Sequence, residues 1–256
     1  PAITTMLRGL VYIEVVLHGP SRDLHSGVYG GTLVNPCNAI CEVLGQLHDR
    51  DGRVAIPGFY DAVKELDEGR RRDWSALDFD EAAFLGEVGM KTPFGEPGRS
   101  TIERMWSRPT CDINGIYGGY MKEGASTIIP SMAGAKVSMR LGPDQKAEEI
   151  EKFSEETVRT RVPDTVTLEI KTHASCDPYL ADVQSKGMKA ARQAVAKGFA
   201  KEPVLIREGG SLPILPMLKQ VLGADSLMMG YCQPNCNAHS PNEFLHLRDF
   251  EAGMRS

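Results

Sequence analysis

The sequence predicts an α+β unit built on a ferredoxin-like β-α-β-β-α-β order, followed by a partial α/β region. Three observations carry that prediction. Val11, Ile13, Val15 and Leu17 alternate as in a half-buried strand, and further strand and helix patterns follow in the order of the split motif. After Pro178 the composition shifts to an Ala- and Lys-rich helix, after which short strands and helices take turns.

Arg8 to His18 (RGLVYIEVVLH) is the first predicted strand. A helix is expected from Thr32 to Leu47, where Leu33, Ile40, Cys41, Leu44 and Leu47 recur at helical spacing. Residues 51–110 are rich in Gly, Pro and charge and read as an insertion, with short helices around Ala62–Leu66 and Asp80–Leu85. Strands are predicted over Asp112–Met121 and Gly134–Leu141, then an acidic helix from Asp144 to Arg161. Val166, Leu168 and Ile170 form the last strand of a sheet expected to be antiparallel, with its helices on one face. Beyond Pro178 the prediction is a helix at Val183–Phe199, a strand at Val204–Arg207, a helix at Leu212–Leu222, a strand at Ser226–Tyr231 and a helix from Leu247 to Met254. Two strands make a poor parallel sheet, which normally has several strands and both faces covered, so this region is expected to complete a larger domain.

Composition excludes some partners. Hydrophobic residues at 41% and charged residues at 25% of 256 are ordinary for a soluble globular protein. A formal charge of -5 and a pI near 5.7 argue against general affinity for nucleic acid or anionic membranes, which need clustered positive charge. The one basic cluster, Arg70-Arg71-Arg72, lies among Asp67, Glu68 and Asp73 and reads as a solvated helix face. There is no apolar run of about 18 residues and no signal-peptide profile. The chain opens on Pro1 and not on Met, so its start is expected upstream. Six scattered cysteines fit reduced thiols in a cytoplasmic protein better than a disulfide scaffold. Cys232, Cys236 and His239 have a zinc-like spacing, but a structural zinc site takes four ligands.

Few places can carry chemistry. Glu208-Gly209-Gly210-Ser211 follows a strand and opens a helix, where backbone N–H groups bind anions; Ser211 capping the helix is the plainer alternative. The loop lacks the second glycine of a nucleophile elbow, so Ser211 is a binder and not a nucleophile. Arg140 shares the outer face of its strand with Lys136 and Ser138 and has the fork that grips a carboxylate, although a surface ion pair is the commoner fate. His25 lies in a polar turn, incidental or able to donate to a developing oxyanion. His239 lies in a small-residue turn closed by Pro241.

A resemblance over nearly the whole chain decides among these. HGPSRDLHSGVYGG (His18–Gly31), RPTCDINGIYGGY (Arg108–Tyr120), STIIP (Ser126–Pro130), AKVSMRL (Ala135–Leu141), EGGSLP (Glu208–Pro213) and NAHSPNE (Asn237–Glu243) occur in order. Together they resemble the di-zinc metallopeptidases of the M20 family, in its branch of cytosolic non-specific dipeptidases and carnosinase-like enzymes. The resemblance implies a lid, or dimerisation domain, over residues 7–175 and the C-terminal part of a catalytic domain over 176–256. It implies that His239 is a zinc ligand and that His25 reaches the partner subunit's active site to stabilise the oxyanion. Arg140 would bind the substrate carboxylate, while Asn114, Thr127 and the loop Glu208, Gly209, Gly210 and Ser211 would line the pocket. The implied cofactor is two zinc ions, with manganese or cobalt as substitutes. The implied partners are a dipeptide, or an N-acyl amino acid if the enzyme is a deacylase, and a second copy of the chain.

The sequence departs from the family pattern in one respect. The family's His-x-Asp pair, bridging Asp, adjacent Glu-Glu and further acidic ligand precede the lid, and no such pattern precedes Arg8. A catalytic zinc usually takes three protein ligands, so these 256 residues alone are expected to be inactive, acting at most as a dimerisation module.

Overall fold

The computed structural model describes residues 1–256 except Pro234, Asn235 and His239. In chain order its elements begin with β1 (Ala2–Leu7), β2 (Gly9–His18), β3 (Leu24–His25), α1 (Ser26–Tyr29), α2 (Pro36–Gly45), α3 (Glu68–Ser75), α4 (Glu81–Glu87) and α5 (Thr101–Trp106). There follow β4 (Thr110–Gly118), β5 (Ile128–Ile129), β6 (Met132–Leu141), α6 (Ala147–Arg161) and β7 (Thr167–Cys176). The last are β8 (Tyr179–Leu180), α7 (Lys186–Phe199), β9 (Val204–Glu208), α8 (Ile214–Leu222) and α9 (Leu247–Arg255). The fold is mixed α+β with an antiparallel sheet, and it divides into two compact units: Arg8–Pro178, and Pro1–Leu7 with Tyr179–Ser256.

In the unit Arg8–Pro178 the sheet order is β4-β6-β2-β7, with every pair antiparallel. Strand alternation sends Val11, Ile13, Val15 and Leu17 of β2, with Ala135, Val137, Met139 and Leu141 of β6, to one face. Ile40, Val43 and Leu44 of α2 and Ile150 and Val158 of α6 cover that face, giving one continuous core. Asn35 caps α2 by accepting from the Cys37 N–H at 2.9 Å, and Pro36 occupies the first turn, where a missing N–H costs nothing. That start explains why Leu33 is exposed: the helix begins later than Thr32. Cys41, also expected on the apolar stripe, is exposed as well.

The insertion holds helices α3, α4 and α5, and Ala62–Leu66 is not among them. Asp67, Asp80 and Ser100 are the N-caps, each accepting from a backbone N–H three residues on, and they fix where these short helices start. Buried Gln145 ties the insertion to the sheet, accepting from the Gly142 N–H at 2.6 Å and donating to the Phe59 carbonyl at 2.7 Å. A buried fork from Arg108 to Glu96, at 2.6 and 2.7 Å, anchors the insertion's end beside β4.

In the other unit β1 is central, antiparallel to β8 and parallel to β9. It is buried almost along its length, as a strand covered on both faces must be, and so shows no alternation. Ile3, Leu7, Met188, Val195 and Leu215 belong to its core. Ser226–Tyr231 is not a strand; it contributes one bridge, Met228 to Thr4. Among the described residues no helix is long and apolar enough to cross a membrane.

Candidate substrate site

His25 and Thr127 are brought together by two short strands. β3 pairs with β5, His25 opposite Ile128, and the Ser26 N–H donates to the Thr127 carbonyl at 2.9 Å. His25 is the N-cap of α1, and its Nδ1 accepts from the Gly27 N–H at 2.9 Å. A ring whose Nδ1 accepts carries its proton on Nε2, so the outward nitrogen of this exposed imidazole is a donor. Gly27 leaves room for the ring: a Cβ there would lie 2.9 Å from its Cε1, so the imidazole would have to shift.

Asn114 is set out of the ladder. In β4, Ile113 opposes Val137 and Gly115 opposes Lys136, so Asn114 is the extra residue of a bulge, a device that re-aims a side chain. It is exposed. Arg140, half-buried on β6, stands opposite Leu10 and Thr110. Burial pushes the Arg8 guanidinium down to about 10, the positive charge of Arg140 adds to this, and Asp112 opposes it. Arg8 is thus a second guanidinium within electrostatic reach of Arg140. Sequence reading passed over it because it opens a strand among apolar residues.

In the unit containing β9, Glu208 ends the strand, and the loop Gly209-Gly210-Ser211 leads to α8. The helix starts at Ile214 with Pro213 at the N-cap and no side-chain cap bond, so Ser211 is not its cap. Glu208 is held from below: Thr4 Oγ1, buried on β1, donates to Glu208 Oε1 at 2.9 Å, and Thr5 Oγ1 donates to the Ile206 carbonyl at 2.9 Å. The β1–β9 register shifts between Thr4 and Leu7, and both threonines are buried there. Their only sequence signal is a hydroxyl pair in an otherwise apolar strand.

His239 lies outside the described residues. Nearby, Asn237 and Asn242 have φ of 56° and 61°, left-handed conformations that asparagine tolerates, and the Ser240 N–H donates to the Asn237 carbonyl at 2.9 Å. Among the described residues no group of three or more His, Cys, Asp or Glu side chains is placed to hold a metal ion. They therefore do not furnish a ligand set for zinc. A cavity of about 510 Å³ lies elsewhere, between the insertion and β4, lined by His48, Tyr60, Phe94, Glu96 and Arg108 among others; none of the described candidate residues lines it.

Comparison with known proteins places the chain in a family. The family described as peptidase dimerisation domain matches residues 5–166. The Cys-Gly metallodipeptidase DUG1 of Candida albicans is 28% identical, over 100% of this chain and 53% of its own length. The human Beta-Ala-His dipeptidase is 26% identical, over 100% of this chain and 51% of its own. The solved structure of an M20 family metallo-carboxypeptidase, Sso-CP2 from Sulfolobus solfataricus, superposes with a TM-score of 0.87 at 29% identity, covering 100% of this chain and 58% of that one. The chain thus spans about half the length of the curated relatives it matches.

Proposed function

The chain belongs to the peptidase dimerisation-domain family of the M20 metallopeptidases, and on that premise we propose that its protein is a zinc-dependent cytoplasmic hydrolase of dipeptides. In this reading residues 7–175, with their insertion at 51–110, are a ferredoxin-like lid that pairs two subunits, and residues 176–256 belong to the catalytic domain. The observation that carries the proposal is the imidazole of His25, whose Nδ1 accepts from the Gly27 N–H and so leaves the ring proton on Nε2. A donor held in advance stabilises the oxyanion that forms when water attacks a peptide carbonyl, and it needs no reorganisation at that moment.

The other residues act on the two charged ends and the body of the substrate. Arg140 grips the C-terminal carboxylate, and a guanidinium suits that group because its parallel N–H bonds match both oxygens. Glu208 accepts from the substrate ammonium, the loop through Gly209, Gly210 and Ser211 closes around the backbone, and Asn114 and Thr127 line the pocket. Zinc, as two ions with His239 among their ligands, is the proposed cofactor. The described side chains do not hold it, and no step above runs through it. These 256 residues alone are proposed to be inactive.

The test is dipeptide hydrolysis by the full-length protein, with and without a chelator, beside the same assay on the 256-residue chain. Expected are chelator-sensitive turnover in the first and none in the second. Arg140→Ala in the full-length protein should raise KM and lower kcat together, cutting kcat/KM by about a hundredfold, in line with the roughly 2–5 kcal/mol cost of unpairing a desolvated charge. Unchanged kinetics would reject the carboxylate role.

A further inference from the structure

We propose that Thr4 is a positioning residue for substrate binding: its hydroxyl fixes the carboxylate of Glu208 so that the free oxygen meets the substrate's ammonium group. The inference rests on the dipeptidase reading above and adds a residue to it. Thr4 lies far from Glu208 in sequence and on another strand, and its Oγ1 donates to Oε1 at 2.9 Å. The donor is buried and the acceptor residue is exposed, so the contact ties an exposed acid to the interior. A glutamate at a strand end has three side-chain torsions to spend, and one hydrogen bond from a buried β-branched residue removes most of that freedom.

The local backbone is arranged for this contact. Thr4 stands opposite Ile206 in the parallel β1–β9 ladder, and the register then slips, so that Leu7 stands opposite Glu208. At the slip Thr5 donates to the Ile206 carbonyl, pinning the backbone two residues before the acid. Two adjacent hydroxyls therefore hold one strand end at two levels, main chain and carboxylate. Oε1 accepts the Thr4 hydrogen bond, and Oε2 is the oxygen assigned to the ligand. A free dipeptide has one ammonium group, and its complement is an oriented carboxylate.

The experiment is steady-state kinetics on dipeptides with full-length wild type, Thr4→Val, Thr4→Ser, Glu208→Gln and the Thr4→Val/Glu208→Gln double variant. Valine keeps the shape and deletes the donor; serine keeps the donor. Thr4→Val is expected to raise KM about tenfold with kcat within twofold, the scale of one hydrogen bond to a charged group. Thr4→Ser should restore KM, and Thr4→Val should add nothing further once Glu208 is Gln, because no carboxylate then remains to be oriented toward the ammonium. Should Thr4→Val lose its cooperative melt, Thr4→Ala is read in the same way. A KM unchanged in an active, folded variant overturns the inference, as does a penalty that persists in full in the Glu208→Gln background. Wild type without dipeptide hydrolysis rejects the proposed function itself, and the inference falls with it.

Discussion

The two units solve the burial problem differently. In Arg8–Pro178 the apolar face of the sheet meets α2 and α6 of the same unit, and the core runs without interruption from Val11 to Val166. In the other unit the core is smaller, and α8 leaves Ile214, Met217, Val221 and Leu222 exposed while burying Leu215. α9 likewise exposes Leu247 and Phe250. Both units contain amphipathic helices, so amphipathicity alone does not say whether a helix finds its cover within its own unit. The difference also separates the candidate residues. His25, Thr127, Asn114 and Arg140 stand on a frame complete in itself, whereas Glu208 stands on a three-stranded sheet and is steadied by one buried hydroxyl.

The sharpest way to break that comparison is through charge burial. Glu96→Ala strands the Arg108 guanidinium in the interior of the first unit, and removing one partner of a buried pair costs about 3–5 kcal/mol. Urea unfolding of the chain should show that loss. A second change probes the site on the same frame. Gly27→Ala pushes a Cβ against the His25 ring, so turnover should fall by about tenfold or more, because a displaced donor loses much of its oxyanion stabilisation. The melting temperature should move little, since α1 buries none of its residues. A variant with full turnover would show that the ring's placement does not depend on Gly27.

How much of this was legible in the sequence follows from the same contrast. β2, β6 and α6 were readable because each has one face buried and one exposed, which writes a period of 2 or 3.6 into the residues. β1 was missed because a strand covered on both faces writes no period at all. Ser226–Tyr231 and Ala62–Leu66 have the right residues, yet the first keeps a single bridge and the second forms no helix. Among the candidates, His25 reads as a turn residue in the sequence, whereas it ends β3 and caps α1, because the β3–β5 pairing is set by a strand far along the chain. The bulge at Asn114 was not legible, because an extra residue is defined by the partner strand and not by its own sequence. The Thr4–Glu208 bond was invisible for the same reason: it joins residues from opposite ends of the chain.

A smaller effect tests the other side of the comparison. Val221→Ser on the exposed face of α8 should change stability by no more than about 0.5 kcal/mol, the usual range for surface positions. A loss near that of a buried aliphatic residue would mean that this face is covered in solution, and the contrast between the units would narrow.

The smallest expected effect lies on the face of the sheet opposite its helices, where Glu14 accepts from His173 Nε2 at 2.7 Å and from the Tyr117 hydroxyl at 2.9 Å. The His173 bond first, and the Tyr117 bond second, hold the Glu14 carboxyl below its ordinary value of 4.5. Burial first, and Glu14 second, push the Tyr117 phenol up to about 12. A carboxyl with a depressed folded-state pKa binds fewer protons folded than unfolded in acid. Its contribution is therefore present above 4.5 and is lost as pH falls through the folded value. Glu14→Gln keeps an acceptor for Tyr117 but removes the titration, so its stability should decline less steeply than that of wild type as pH is lowered from 4.5. Denaturant melts at stepped pH measure the two slopes. Parallel curves would show that the His173–Glu14–Tyr117 cluster contributes nothing to acid stability.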